Sequence, residues 1–229
     1  MISVIFDLDG TLVDSEPNYY ESGRRTLERH GVLGFTWEEH SRFIGIGTLE
    51  TLEILKERHG IGAPVEQLLA EQNAAYLELA RTHTETFPEM RAFVERLHGE
   101  GVPMAVASGS SREAIDAVLA GTGLDAMLGL AVSAEEVAHG KPAPDVFLEA
   151  ARRLGAEPAD CVVVEDAAPG ARAAHAAGMH CVAVPYVTRT ARDPEFATAG
   201  LLFPGGQGEF SAEAAHDWLT GLRTARSGA

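Results

Sequence analysis

The sequence predicts an α/β protein: a Rossmann-like parallel sheet core interrupted once by a small all-α insertion. Three observations carry this prediction. From Phe87 onward, short apolar runs alternate with amphipathic segments of about ten residues, the pattern of right-handed βαβ units. Residues 17–84 show helical spacing with no strand pattern between. Chemically capable side chains stand directly after several of the predicted strands, where ligands gather in open α/β sheets.

The chain opens on Ile2-Ser3-Val4-Ile5-Phe6, which reads as a strand buried on both faces. Asp7-Leu8-Asp9-Gly10-Thr11 follows. In extended chain, positions i and i+2 share a face, so Asp7 and Asp9 can point into one site, and Gly10 permits a sharp turn after them. An ordinary turn leaving a strand has the same pattern. A calcium loop also starts with Asp-x-Asp, but here Leu12 falls where that loop needs Gly and Asn18 where it needs its closing Glu.

Helices are expected over Tyr19 to His30, Glu38 to Ile44, Leu49 to His59 and Val65 to Thr82, the last opened by Pro64. The insertion is therefore placed at 16–85, and the core at 1–15 with 86–229. Past Phe87-Pro88 the expected order is helix Glu89 to Leu97, strand Pro103 to Ala107, helix Arg112 to Ala120 and strand Met127 to Val132. Helix Asp145 to Leu154, strand Cys161 to Val164, helix Gly170 to Ala177, strand Cys181 to Val184 and a last helix Ser211 to Thr224 complete it. Gly205-Gly206-Gln207-Gly208 reads as a loop.

The bulk numbers set the class. A chain of 229 residues, 45% hydrophobic and 23% charged, can bury one sizeable core plus an insertion. A net charge of −16 argues against nucleic acid and anionic membrane as partners, because phosphate backbones are held by basic surface. Cys161 and Cys181 sit in predicted strands without metal spacing and read as buried free thiols of a reducing compartment. No apolar run approaches the ~18 residues of a membrane span, and the N-terminus has no signal-peptide pattern. The expectation is a cytoplasmic protein.

Three later strand ends also carry chemically capable residues. Ser108-Gly109-Ser110-Ser111 precedes a helix, where amides and a hydroxyl make an anion site; a Ser there is also the usual helix cap. Lys141, fixed between Gly140 and Pro142, can aim one positive charge at a phosphate. Glu165-Asp166 places two acids at a strand's end, unfavourable without a balancing cation. Carboxylates suit Mg²⁺, which commonly binds one or two of them together with substrate phosphate. The competing reading makes Asp166 a helix cap.

Taken together and in order, Asp7-Leu8-Asp9-Gly10-Thr11, Ser108, Lys141-Pro142 and Glu165-Asp166 resemble the four motifs of the haloacid dehalogenase superfamily. The resemblance is to its phosphatase and β-phosphoglucomutase-like branch with a helical cap, and it runs from about Ile2 to Pro185. It implies Asp7 as nucleophile, forming an aspartyl-phosphate, and Asp9 as general acid then base. It implies Mg²⁺ held by Asp7, the Asp9 backbone carbonyl, Glu165 and Asp166, and phosphate held by Ser108, the Gly109 amide and Lys141. It further implies a cap that closes over the site and reads the leaving group, a small phosphorylated metabolite as partner, and a monomer or weak homodimer. Glu16, Tyr19, Gly45, Thr48 and Arg112 are the candidates for that reading. Dehalogenases of the superfamily lack the second Asp, so Asp9 points to phosphoryl transfer.

Two alternatives stand beside a Mg²⁺-dependent phosphatase of sugar phosphates or similar small monoesters. A β-phosphoglucomutase-like mutase resembles the chain equally in its core, but typically carries a His after the first motif and an Arg in the cap loop. Here those places hold Tyr19 (or Asn18, Tyr20) and Thr48, and Ile44–Glu50 contains no Lys or Arg. A member that binds without turnover is opposed by the intact motifs. Other templates are absent: Ser108 lacks a Gly-x-Ser-x-Gly elbow, Gly45-x-Gly47 lacks a third Gly, and neither a P-loop nor His-Glu-x-x-His occurs.

Overall fold

The computed structural model describes residues 2–44 and 46–227. Six parallel strands form one sheet: β1 (Ser3–Phe6), β4 (Met104–Ser108), β5 (Ala131–Ser133), β6 (Cys161–Glu165), β7 (His180–Ala183) and β8 (Leu201–Leu202). Their spatial order is β5-β4-β1-β6-β7-β8. The chain builds outward from β1 on one side, then returns and builds outward on the other, so the order reverses between β1 and β6. That crevice, at the carboxyl ends of the strands, is where doubly wound sheets bind ligands.

The sheet forms because its inner strands are continuous β-branched and small apolar runs, buried on both faces. Alternation divides them between two layers. Ile5, Ala105, Ala107, Val132 and Val163 pack with Phe147, Ala150 and Ala174 from helices α7 (Asp145–Leu154) and α8 (Ala168–Ala176). Phe6 faces the other way, its ring edge-on to Phe93 of α5 (Pro88–Gly99) at 6.0 Å between centroids. Phe93 in turn meets Phe210 at 6.0 Å, and Phe210 meets Phe203 at 5.1 Å. Helices α6 (Arg112–Thr122) and α9 (Ala212–Ser227) complete this unit. Each fully buried Phe is a strong anchor, since truncating one to Ala typically costs about 3–5 kcal/mol.

The chain divides into two compact units: residues through Asp14 together with Glu85 onward, and Ser15–Thr84. The second holds α1 (Glu16–Arg29), α2 (Trp37–His40), α3 (Thr48–His59) and α4 (Val65–Ala80). Its own core is Leu27, Phe35, Phe43, Leu52, Leu55, Ile61 and Leu68. The Asn18 amide donates to Thr84 Oγ1 at 2.8 Å, tying the start of this unit to its end.

The structure departs from the sequence reading at short elements. Strands β2 (Val13–Asp14) and β3 (Glu85–Thr86) pair antiparallel on either side of the insertion, two residues each and too short to carry a period-two pattern. The helix expected over Glu38 to Ile44 is only α2; Thr36 caps it, and Phe43 turns into the core instead. The strand expected over Met127 to Val132 is only β5, because Leu124–Ala126 closes as a 3₁₀ turn. Gly206–Gly208 is a 3₁₀ turn rather than open loop.

Candidate active site

Parallel register brings the sequence candidates together. Phe6 is level with Val106 of β4 and Val164 of β6. The Asp7 N–H donates to the Val164 carbonyl at 2.9 Å, so the ladder continues one residue past Phe6 and sets Asp7 beside Glu165. Ser108 is the last residue of β4 and Glu165 the last of β6. Asp7, Ser108 and Glu165 are all buried polar residues.

Lys141 joins them. Its Nζ donates to Asp7 Oδ1 at 2.5 Å and to Glu165 Oε2 at 2.9 Å, with the Phe147 ring 4.8 Å beneath the ammonium. Glu165 is wedged in place: its Oε1 accepts from the Ala167 N–H at 3.4 Å, and a Cβ at Gly170 would run into its carboxylate. Asp166 accepts from Thr11 Oγ1 at 3.3 Å. It does not cap α8, whose N-cap position is Ala167 with no side-chain bond. Likewise α6 is capped by Ser111, accepting from Ala114, which leaves Ser108 outside the helix. In both places the structural alternative weighed from sequence gives way, and the polar group stays at the strand end.

Asp7, Glu165 and Asp166 each bring one carboxylate oxygen within 4.8 Å of the others. Burial, reinforced by the charge of Glu165 and only partly offset by Lys141, pushes Asp7 up to about 8. Burial and the same neighbouring carboxylates hold Asp166 well above the ordinary range. Burial pulls the Lys141 ammonium down, but Asp7 and Glu165 outweigh it and keep it above a normal lysine. Three carboxylates around one ammonium thus leave surplus negative charge where the surroundings disfavour it. The donor set is oxygen only, and it fits a hard divalent cation such as Mg²⁺. Gly10 adds a steric condition: its φ is +79°, and a Cβ there would lie 2.5 Å from Asp166 Oδ2.

Asp9 is half-buried and lies outside that carboxylate group. Its Oδ2 accepts from Ser110 Oγ at 2.6 Å, and Ser108 Oγ lies 3.5 Å away. Ser108 Oγ accepts from the Ser110 N–H at 3.0 Å. Gly109 is exposed between them, and nothing stands where its Cβ would be. The site therefore offers an acid outside the three-carboxylate group, close enough for its charge to act on Asp7, beside a hydroxyl and the Gly109 amide that can meet an oxyanion.

The remaining candidates have other partners. Arg112 opens α6, and its guanidinium donates to the Ala131 carbonyl and pairs with Asp116 and Glu136. Within the helical unit, Glu16 Oε2 lies 2.9 Å from His40 Nε2, Tyr19 stacks on Tyr76 at 4.3 Å, and Thr48 is the first residue of α3. Gly45 lies outside the described residues.

Four residues take parts that the sequence does not assign to them. Ser110 holds Asp9, and the buried Ser133 at the end of β5 donates to the Ser110 carbonyl at 2.6 Å. The Tyr186 hydroxyl donates to Asp14 Oδ1 at 2.9 Å. The Gln207 amide donates to the carbonyls of Gly10 and Thr11 at 3.2 and 3.0 Å. Ser110 stands two residues past Ser108, inside the stretch that reads as an anion site. The others carry no spacing that ties them to Asp7.

Known proteins resemble this chain in sequence and in fold. A family model described as haloacid dehalogenase-like hydrolase matches residues 3–178. The fructose-1-phosphate phosphatase YqaB of Escherichia coli K12 is 36% identical over 181 residues, covering 79% of this chain and 95% of that protein. Hexitol phosphatase A of the same organism is 36% identical over 184 residues, covering 79% and 81%. A bifunctional riboflavin kinase/FMN phosphatase of Arabidopsis thaliana is 33% identical over 80% of this chain, which spans about half of it (48%). Among solved structures, a Thermotoga maritima protein provisionally named as a β-phosphoglucomutase superposes with a TM-score of 0.78 at 27% identity, covering 98% of this chain and 99% of that one. By this match and by these relatives, the chain belongs to the haloacid dehalogenase-like hydrolases.

Proposed function

We propose that this hydrolase is a Mg²⁺-dependent phosphatase of a small phosphate monoester, a sugar or polyol phosphate, working through an aspartyl-phosphate on Asp7. The observation that carries the proposal is the meeting of Asp7, Lys141, Glu165 and Asp166 at the ends of β1 and β6, with Ser108 and Asp9 alongside. The names of the two Escherichia coli relatives support the substrate class.

Asp7 Oδ attacks phosphorus in line while the bond from phosphorus to the ester oxygen breaks. Asp9 gives its proton to the departing alkoxide, so a neutral alcohol leaves and Asp9 is left as carboxylate. It then takes a proton from the water that attacks the phosphoryl-Asp7, releasing inorganic phosphate and restoring both acids. Such proton transfer contributes about 10²–10⁴-fold. Ser108 Oγ and the Gly109 N–H hold two phosphoryl oxygens as charge develops on them. Lys141 offsets charge on Asp7 and on the phosphate, and Glu165 keeps the ammonium aimed. Asp7, the Asp9 carbonyl and Asp166, with Glu165 adjoining, would hold Mg²⁺, which would supply the further positive charge that lets two anions approach. The separation of Asp9 from the carboxylate group supports this division of labour: the acid that must carry a proton is the one bonded to Ser110.

A phosphosugar mutase is the second reading, favoured by the superposition on the Thermotoga maritima structure. Against it stands the absence of any Lys or Arg between Ile44 and Glu50 to hold a second phosphate. Phosphate release from a panel of sugar and polyol phosphates, with Mg²⁺ and with Asp7→Asn as control, tests both. The phosphatase reading expects stoichiometric phosphate that disappears in Asp7→Asn. Interconversion of a sugar 1-phosphate and 6-phosphate without phosphate release would make the protein a mutase.

A further inference from the structure

Gln207 lies some two hundred residues along the chain from the turn after β1, yet its amide spans two carbonyls of that turn, Gly10 at 3.2 Å and Thr11 at 3.0 Å. Resting on the phosphatase reading, we infer that Gln207 is a positioning residue: it clamps the turn that carries Asp9 and Thr11, and so sets both the proton donor and the Thr11–Asp166 contact.

The segment beyond β7 is built to deliver this amide. β8 joins the sheet edge through β7, and the Phe203 N–H donates to the Ala183 carbonyl at 2.9 Å. The turn then closes through Gly206 N–H to Phe203 and Phe210 N–H to Gly206, both at 2.9 Å. Gly206 has φ +63°, and a Cβ there would run into the Pro185 carbonyl, so the turn packs directly on backbone. Phe203 and Phe210 tie it through Phe93 to Phe6 of β1. The turn is thereby referenced to the strand that carries Asp7.

The amide has one workable orientation. Both N–H bonds of its nitrogen are spent on the two carbonyls, and a flipped amide would set oxygen against oxygen. Its Oε1 is buried with no partner. A buried acceptor without a donor is destabilising, so a residue that merely filled this space would serve better as Met or Leu. What Gln supplies is two donors on one turn. Gly10 stands directly after Asp9, and Thr11 carries the hydroxyl that donates to Asp166 at 3.3 Å. Both carbonyls are fixed, and the Leu12 and Val13 N–H groups return to Leu8 at 2.9 and 3.2 Å, so the turn has little freedom to swing Asp9 away.

The test uses the full chain with Gln207→Ala and Gln207→Met, assayed with Mg²⁺ on p-nitrophenyl phosphate and on phenyl phosphate. p-Nitrophenolate leaves readily unprotonated. Phenol, with a pKa near that of tyrosine (~10), depends more on the donor. A displaced Asp9 makes kcat/KM fall about ten-fold further for phenyl phosphate than for p-nitrophenyl phosphate in both variants. Mg²⁺ affinity, read from the shift in Tm on titrating the metal, weakens several-fold in both. Equal losses on the two esters with unaltered Mg²⁺ affinity would overturn the inference, and so would full recovery in Gln207→Met, since volume alone would then suffice. If the unmodified protein releases phosphate neither from these esters nor from any sugar or polyol phosphate of the panel, the phosphatase reading falls, and the Mg²⁺ titration alone decides the role of Gln207.

Discussion

The metal-free protein is expected to lose stability as pH rises, the reverse of a protein held together by paired carboxylates. The perturbation is EDTA against Mg²⁺, with Asp7→Asn as the companion variant. Asp7 has a folded-state pKa of about 8 against an ordinary 3.8, with burial as the main cause. A raised carboxyl means the folded state binds more protons than the unfolded one, so stability is full below about pH 4 and declines until about pH 8. A shift of roughly four units corresponds to at most ~6 kcal/mol, and Asp166 acts in the same direction. Even a third of that, ~2 kcal/mol, moves Tm by about 4–8 °C in a chain of this size. The metal requires the deprotonated acids, so the Tm gained on adding Mg²⁺ grows from pH 5 to pH 8. Asp7→Asn removes the titrating group, and metal-free Asp7→Asn should exceed the metal-free parent by a margin that widens from pH 5 to pH 8. Scanning calorimetry across that range reads all three. A metal-free Tm that is flat or rises with pH would refute the argument, because the carboxylates would then be comfortable as charges without a cation.

Three further outcomes follow from the same geometry. Lys141→Met removes the ammonium between Asp7 and Glu165, and kcat should fall by about 10²–10³ in a phosphate-release assay, with the metal-free protein further weakened at pH 8 but not at pH 5. Gly10→Ala forces a side chain into positive φ and against Asp166, at a cost of about 1–3 kcal/mol, with weaker Mg²⁺ binding in the same thermal titration; an unchanged Tm would show that the turn relaxes freely. Burial pushes the Cys161 thiol up to about 11 and Cys181 higher still, so neither should react with a disulfide reagent at neutral pH until denaturant is added.

The fold was legible because its strands are pure apolar runs and its helices end in recognisable punctuation. β6 is Cys161-Val162-Val163-Val164-Glu165, and little else fits such a stretch. What escaped was short or defined by pairing. β2 and β3 exist only because each finds the other across seventy intervening residues, and β8 only because β7 offers it an edge. Neither local propensity nor periodicity registers a two-residue strand.

The site divides in the same way. Asp7, Ser108, Lys141 and Glu165-Asp166 could be read because each stands at the end of a strand or in a stiff loop, where a polar residue in an apolar pattern is conspicuous. Gln207 could not, because an amide in a Gly-rich segment looks like any surface turn until the chain closes on itself. This difference follows from what each residue does. Groups that touch phosphate must converge on one point, so the topology of the sheet predicts where they stand in the chain. A group that holds the backbone of another needs only to arrive from whichever segment lies nearest, and many segments would serve. Gln207 comes from beyond residue 178, where the match to the family model stops, so that match takes in the acids of this turn and leaves out the clamp on it.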